Sequence, residues 1–434
     1  MNHNGLWKLA LAMMLWCSLG SAHAQNAAPL ETNVLTLESA IGIALSQSPG
    51  LRAASGRVAA ATGRAYQAKL WSNPELEFEV EEWQTSGGGF PDAKQTIGVA
   101  QTLPFPGKKP LDRRIGLAGV RLREAEFSLR RLELIRDVKA AFFSVLAAEG
   151  LVEAAGDLVK VAASSADVAH KRVEAGATSD QEPLRAEIQL EQARTELAGF
   201  QRESNIARQR LATLLGRPDL QDATISGVLA DSPNAALVGQ SPEHWLAAHP
   251  SAVAARTARD RAELDLRRAR LEPYPDVRAG VAGGRLGDTD ESIVELRFSL
   301  PLPLMDRGKG RKQEANANVS IADAELTTVE QHLLREWNAA SQRLRTAVEQ
   351  VATYRERILP KTDRALNLVR GGFEQGKFDF IDLLDTQRTT AEARLAYQQK
   401  LLELNVAQAE LEALMPDPLQ TSTDDQTALQ SPQP

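Results

Sequence analysis

The sequence predicts a mainly α-helical fold made from two copies of one structural unit, together with four short β-strands. Three observations support this prediction. Matching motifs recur about 200 positions apart along the chain. Apolar residues in two very long stretches are spaced by threes and fours, as in packed helices. Four short segments alternate apolar and polar residues, which is typical of strands with one face in each environment.

The composition indicates a folded protein that does not bind nucleic acid. Of the 434 residues, 43% are hydrophobic and 25% are charged. The formal net charge is −7, whereas a nucleic-acid-binding protein normally carries a basic excess or a basic stripe.

The first 24 residues have the pattern of a secretory signal peptide. Lys8 precedes an apolar run at 9–19, and small residues follow before a cleavage site that we expect after Ala24. The only cysteine of the sequence, Cys17, lies in this run, and the bulky Trp16 before it disfavours lipid attachment. The exported chain is therefore expected to contain no thiol, and no later apolar run is long enough for a transmembrane helix.

The duplication is visible in the spacing of prolines and short motifs. Pro49 and Pro250 are 201 positions apart, and several other pairs keep nearly the same register. These pairs are Pro74 with Pro275, Leu103–Pro106 with Leu300–Pro303, and Glu174–Gly176 with Glu374–Gly376. We therefore predict a first repeat at 25–216, a linker at 217–240, a second repeat at 241–415 and a disordered polar tail at 416–434.

Each repeat is predicted to contain a short helix, a second helix, two strands, a very long helix and a returning helix. The very long helices are expected at 107–175 and 308–375, and at 1.5 Å per residue each would be about 100 Å long. Gly176 and Gly376 are expected to reverse the chain into the returning helices.

The strand segments point to a membrane. Residues 75–81 alternate strictly between glutamate and apolar residues, 96–103 repeat the alternation less cleanly, and 277–281 and 294–300 alternate as well. A soluble sheet with one hydrated face would show the same pattern, but export without a spanning helix favours a transmembrane barrel. Four strands cannot close a barrel, so we expect oligomers, and three subunits would supply 12 strands.

The duplicated arrangement of helices and strands resembles the TolC family of outer-membrane efflux channels. Within it, the phrases GVAQTLPFPGK at Gly98–Lys108 and GKFDFIDLLD at Gly376–Asp385 resemble the CzcC branch of heavy-metal exporters. The resemblance covers essentially the whole mature chain. It implies a homotrimer in outer-membrane lipid, with a 12-stranded β-barrel and an α-barrel of helical hairpins that crosses the periplasm.

The resemblance also implies a function and partners. The chain would be the passive exit duct of a tripartite efflux system, joined by a periplasmic adaptor (a membrane fusion protein) to an inner-membrane pump of the RND type. Its substrates would be divalent heavy-metal cations, with organic toxicants as an alternative. No enzymatic activity is implied.

The hairpin tips carry residues to which the resemblance gives roles. Gly176 and Gly376 would mark the turns that meet the adaptor, although a sharp reversal alone explains glycine there. Arg172 and Arg370 precede these turns, and either contact the adaptor or bond to carbonyl groups at the helix ends.

The periplasmic mouth of the family carries an acidic ring, which corresponds here to Asp382 and Asp385. Two acids in the first turn of a helix are also ordinary partners of its dipole. Three copies of this pair would favour cations in a narrow aqueous passage.

A lock also closes this mouth in the family, through an acid bonded to a tyrosine and an arginine. The matching residues are Glu182, Phe373 and Phe378, so both partners of the acid are replaced. Lys377 is close enough in sequence to substitute.

The glutamates of the first strand would face the lumen if their apolar neighbours face lipid. These residues are Glu75, Glu77, Glu79 and Glu81. They would hydrate a water-filled pore and, in a stronger interpretation, attract cations to the exit.

We find no candidate catalytic set, cofactor-binding motif or metal-ligating spacing in the sequence. His170, His244, His249 and His332 are scattered, and the Gly107-Lys108 turn lacks the glycine spacing of a phosphate loop. The main alternative is a periplasmic adaptor or coiled-coil spacer, although adaptors carry a single hairpin and this sequence predicts two.

Overall fold

The computed structural model describes residues 34–81, 93–176, 179, 181–234, 237, 241–286 and 291–415. The predicted signal peptide with Cys17 and the predicted tail at 416–434 lie outside the described residues. Helices account for most of what is described, which confirms the prediction of a mainly α-helical fold.

The same order of elements occurs twice along the chain. The helices are α1 (Leu37–Gln47), α2 (Pro49–Lys69), α3 (Lys108–Glu174), α4 (Gln181–Leu215), α5 (Pro242–Ala248), α6 (Pro250–Ala269), α7 (Lys309–Thr353), α8 (Leu359–Glu374) and α9 (Phe380–Ala413). The strands are β1 (Val34–Leu35), β2 (Glu75–Glu81), β3 (Lys94–Leu103), β4 (Thr224–Ile225), β5 (Val277–Arg285) and β6 (Ser292–Ser299). A short 3₁₀ turn lies at Pro218–Leu220.

Several helices begin at side chains that accept hydrogen bonds from backbone N–H groups. Thr36 accepts a bond from Ser39 at the start of α1, and Ser48 caps α2. His249 caps α6, since its Nδ1 accepts a hydrogen bond of 3.2 Å from the Ser251 N–H. Burial lowers the pKa of His249, which favours the neutral imidazole that an accepting Nδ1 requires. The sequence alone did not indicate this capping role.

The 67-residue helix α3 organises the helical part of the chain. It is about 100 Å long, and it packs against α2 and α6 near the strands and against α4 and α9 towards the hairpin tips. Many of its buried side chains are alanine, which allows neighbouring helices to approach closely. None of the helices in the described ranges is both long enough and apolar enough to cross a membrane.

The predicted long helix of the second repeat is continuous but contains a π-helical turn at Tyr354–Ile358, between α7 and α8. Pro360 lies just after this turn. Proline cannot donate a backbone hydrogen bond, and its ring crowds the carbonyl four residues earlier. The wider turn accommodates the proline without ending the helix.

The strands form one antiparallel sheet in the order β2-β3-β5-β6. The central pair joins the two halves of the chain, since Gly98 lies opposite Ala282. A Cβ added to Gly98 would lie 2.6 Å from the Cβ of Ala282, so only glycine fits at this point of the sheet.

A second layer covers one face of α3. It consists of α1 and the short parallel pair β1-β4. Leu35 and Ala40 from this layer pack against Val138 and Phe142 of α3 and against Leu215 of α4. A similar cluster joins α5, α7 and α9 around Trp337 in the second half.

Asp276, just before β5, ties the start of that strand to the junction between β3 and α3. Its Oδ1 accepts hydrogen bonds of 2.8 Å from the Phe105 N–H and from the Nζ of Lys108, the first residue of α3. The side chain of Lys108 is only 7% exposed. Burial favours the neutral carboxyl group, but these hydrogen bonds outweigh it and lower the pKa of Asp276.

We predict that Asp276→Ala destabilises the protein by about 1–3 kcal/mol at pH 7, because it leaves a buried ammonium unpaired. The loss should be measured by denaturant unfolding followed by circular dichroism. A lowered carboxyl pKa stabilises the fold above the unfolded-state pKa, about 3.9, and this stabilisation is lost as the pH falls through the folded-state value. The difference from wild type should therefore shrink below about pH 4. Asp219→Ala, which removes the exposed pair with Arg217, is the control.

Candidate functional site

One face of the four-stranded sheet is apolar and exposed. Leu76 on one edge strand and Phe298 on the other are each 74% exposed. The other large apolar side chains on this face are Phe78, Ile97, Val99, Val281, Val294 and Leu296. A patch of this kind needs an apolar neighbour to cover it.

The opposite face carries charged side chains that pair across the strands. Arg278 binds both Glu75, at 2.7 Å, and Glu77. Arg297 binds Glu79 and lies 3.7 Å from Glu77.

Lys94 completes the pairing at the far end of the sheet. Its Nζ lies 2.6 Å from Glu81 and 2.5 Å from Glu295. All four glutamates predicted for the lumen therefore share one face, and each has a cationic partner. Sequence reasoning did not assign partners to them, although the alternation of β6 places Glu295 and Arg297 on one face of that strand.

Small residues in the middle of the sheet make these long contacts possible. Arg297 on β6 reaches across β5 to donate a 2.9 Å hydrogen bond to Thr96 on β3. The β5 positions on this face next to Arg297 are Gly280, Ala282 and Gly284. Because these β5 residues have small or no side chains, the long side chains of β2 and β6 can extend across β5.

The charged face is only weakly acidic as a result. Among the described residues, five carboxylates on this face (Glu75, Glu77, Glu79, Glu81 and Glu295) are paired with three cations (Lys94, Arg278 and Arg297), an excess of two negative charges. The prediction of a cation-attracting exit stays a prediction, with a smaller charge than four unpaired glutamates would give.

The two hairpin tips turn at glycines in the left-handed region. Gly176 and Gly376 both have φ of 70°. At the second tip the N–H of Lys377 donates to the carbonyl of Gly372 at 2.8 Å, and the N–H of Gly376 donates to that of Phe373 at 3.0 Å. This pair of bonds is the Schellman motif, which requires the left-handed residue.

Arg172 connects the two tips within one chain. Its Nε lies 3.8 Å from Oε2 of Glu182 on the returning helix of the same hairpin. The guanidinium carbon lies 4.8 Å from the ring centre of Phe373 on the other hairpin, a cation–π contact. Phe373 in turn packs against Phe380, with ring centres 5.8 Å apart. The structure thus brings Arg172 and Glu182, which were predicted for different roles, into contact with Phe373. The sequence suggested Phe373 only as the residue that replaces a polar partner of the acid.

The other residues predicted at the mouth have simpler surroundings. The backbone N–H of Asp379 donates to the carboxylate of Asp382 at 3.2 Å, so Asp382 helps to cap α9. Asp385, Arg370 and Lys377 are exposed, and within the described chain the Lys377 side chain has no ion-pair partner. Phe378 packs against Gly372 of its own hairpin.

The described residues contain no group of three or more His, Cys, Asp or Glu side chains that could hold a metal ion.

Comparison with known proteins agrees with this geometry. Residues 40–217 and 242–415 match the outer membrane efflux protein family. The chain belongs to this family. Membership places it in the outer membrane and gives it a role in efflux, and it confirms the resemblance seen in the sequence.

Relatives with described roles include metal-resistance proteins. The cobalt-zinc-cadmium resistance protein CzcC of Cupriavidus metallidurans is 30% identical over 370 residues, which cover 84% of this chain and 85% of the relative. The nickel-cobalt-cadmium resistance protein NccC of Alcaligenes xylosoxydans xylosoxydans is 26% identical and covers 79% and 75%.

Solved structures show the same fold. The channel CusC superposes with a TM-score of 0.76 at 17% identity, over 91% of this chain and 96% of CusC. The outer membrane protein VceC of Vibrio cholerae superposes with a TM-score of 0.72 at 20% identity, over 87% and 95%.

We predict that Phe373→Leu loosens both hairpin tips, because it removes the ring that Arg172 contacts while keeping an apolar side chain of similar burial. The contact is worth about 0.5–2 kcal/mol. Hydrogen exchange followed by mass spectrometry should show faster exchange near Arg172 as well as near residue 373.

Phe378→Leu is the matched control, since Phe378 contacts its own hairpin at Gly372. It should affect the second tip alone. Unchanged exchange near Arg172 in Phe373→Leu would contradict the coupling.

Proposed function

We propose that three copies of this chain form one efflux channel, with a 12-stranded barrel in the outer membrane and a tunnel of long helices below it. The observation that carries this proposal is the four-stranded sheet. Within the described chain, its edge strands β2 and β6 each pair with a single strand, and one face of the sheet is apolar and exposed. Pairing β2 of one copy with β6 of the next would satisfy both edges.

The charged face would then line the pore, and the apolar face would contact lipid. Ion pairs between strands are tolerated in a water-filled lumen, where the hydrated carboxylates and guanidinium groups keep contact with solvent. Two remaining negative charges per chain would give six in a ring of three.

The helical part supports a role in a tripartite system. The two hairpins of each chain end in glycine turns, and these tips would meet a periplasmic adaptor that connects the channel to an inner-membrane pump of the RND type. We found no sequence motif for nucleotide binding, so the energy for transport would come from that pump.

The metal-resistance relatives support divalent heavy-metal cations as the substrates of this channel. CzcC and NccC are named for resistance to cobalt, zinc, nickel and cadmium, and both align over about four fifths of this chain. The charge of the proposed passage agrees with cations, since the sheet face keeps a small acidic excess and the second tip exposes Asp382 and Asp385.

The bridge from Glu182 through Arg172 to Phe373 would hold the two hairpins of each chain together at the mouth. It would take the place of the acid–tyrosine–arginine lock implied by the resemblance, with the aromatic face replacing the phenol as the partner. Opening would then require the guanidinium group to leave the ring.

We predict that a strain lacking this chain becomes sensitive to cobalt, zinc or cadmium salts, and that the wild-type gene restores growth. The protein should fractionate with outer membranes, migrate as a heat-modifiable trimer and conduct ions in planar bilayers. A water-soluble monomer without conductance would refute the channel. Sensitivity to organic toxicants alone would keep the channel and refute the metal substrate.

We further predict that Asp382→Ala combined with Asp385→Ala weakens cation selectivity and block by divalent cations in planar bilayers, because it removes six carboxylates from the mouth of a trimer. Asp219→Ala combined with Asp222→Ala removes the same charge near the inter-repeat linker and should change neither property. Equal behaviour of the two double variants would exclude the tip acids from the ion pathway.

A further inference from the structure

A basic cavity lies where the helices meet the sheet. It has a volume of about 540 Å³ and opens between α2, α6 and the first turns of α3. Arg64, Lys109 and Arg261 contribute cations to its lining. All three belong to the parts of their helices nearest the strands.

The close packing of α2 on α3 brings two of these cations together. A Cβ added to Gly116 would lie 2.9 Å from the Cα of Ala65, so the helices touch at their backbones. Arg64 precedes this contact on α2, and Lys109 is two turns before it on α3. Gly119 leaves the cavity floor open beside Arg261, whose Nη1 lies 4.0 Å from where a Cβ would be.

Some cations of the cavity are already neutralised by carboxylates. Arg268 binds Asp112 and Glu272, each at 2.8 Å. Arg123 binds Glu126.

Other cations have donor groups that no carboxylate uses. The side chains of Arg64 and Lys109 make no hydrogen bond or ion pair within the part of the chain that the structure describes. The buried Nε of Arg261 also lacks a hydrogen bond, and it lies 3.8 Å from Asp265. Burial raises the pKa of Asp265 despite the opposing effect of Arg261. The site therefore has an excess of positive charge and unused N–H donors, which suits an oxyanion.

The cavity lies on the face of α3 that carries the second layer. Lys109, Gly116, Arg123 and Phe127 recur by sevens and fours along α3, and the same stripe continues to Leu134 and Val138. Phe127 and the residues after it pack against the layer of α1, β1 and β4. That layer would obstruct a tunnel if it lay inside, so this face points outward. This step rests on the proposed channel.

Exposed aromatic residues mark the same level of the molecule. Tyr66 and Trp71 are each 57% exposed, and Tyr274, stacked on Phe105 at 4.7 Å, is half exposed. Aromatic residues of this kind form girdles where a barrel meets the lipid headgroups. Arg64 lies two residues before Tyr66, about 3 Å away along the axis of α2. The cavity is therefore at the depth of the headgroup phosphates.

We propose that this cavity binds the phosphate of an anionic phospholipid in the periplasmic leaflet of the outer membrane. Arg64, Lys109 and Arg261 donate to its oxygens, and the acyl chains lie along the apolar face of the sheet. The site would fix the depth of the channel in the membrane.

The test uses the purified full-length protein in detergent, mixed with phosphatidylglycerol and analysed by native mass spectrometry. Arg64→Gln combined with Lys109→Gln removes two cations and breaks no ion pair that the structure records. We expect it to retain phosphatidylglycerol about tenfold to thirtyfold more weakly than wild type. Arg121→Gln combined with Arg114→Gln, on the opposite face of α3, should retain it as wild type does.

Two further arms define the ligand. Diacylglycerol with the same acyl chains lacks the phosphate and should not be retained. Inorganic phosphate should raise the unfolding temperature of wild type much less than the lipid does. Stabilisation by inorganic phosphate without lipid retention would show a free-anion site and overturn the lipid assignment.

The proposal also fails if the two double variants lose lipid equally. Bilayer conductance of the Arg64→Gln, Lys109→Gln variant separates this failure from failure of the channel. A protein that conducts but retains no lipid refutes the lipid site alone, whereas one that never inserts refutes the channel.

Discussion

The constraint on which the structure depends is that the described part of one chain forms a four-stranded sheet with two open edges and one exposed apolar face. Unpaired backbone groups and large apolar side chains cannot both remain in water. In the proposed channel, lipid and further copies of the chain would satisfy the two requirements together. The duplicated order of elements follows the same geometry, because β3 and β5 from the two halves form the centre of the sheet and leave β2 and β6 at its open edges.

Small residues recur wherever elements approach closely. Gly98 and Ala282 bring the central strands together, and Gly116 allows α2 to touch α3. On the sheet, glycines at 280 and 284 also let Arg297 cross a whole strand. The positions that lack bulk thus determine both how the backbone packs and which charged side chains can meet.

Local patterns in the sequence predicted most of the fold. Alternation at 75–81 and the apolar spacing of α3 gave elements close to those observed, because each pattern follows from the period of a single element. Contacts between elements that are far apart in the chain could be predicted less well from the sequence. Nothing near Glu79 indicates Arg297, since their meeting depends on strand order and register. In the sequence, Phe373 appears only where the family carries a polar partner of the acid, and the position of Arg172 above its ring shows that it makes a cation–π contact instead. Pro360 was a visible signal for the π-helical turn that the prediction of a regular helix omitted.

The self-contained pairing of charges on the sheet has a consequence for how the pore is built. Glu75, Glu77 and Glu79 on β2 find their counter-ions on β5 and β6 of the same polypeptide. These ion pairs can therefore form within a single chain, before it contacts the bilayer. In the proposed trimer, contact between copies would then only have to form backbone hydrogen bonds at three equivalent seams. Assembly would thus have an early electrostatic stage, independent of protein concentration, and a late stage that depends on it.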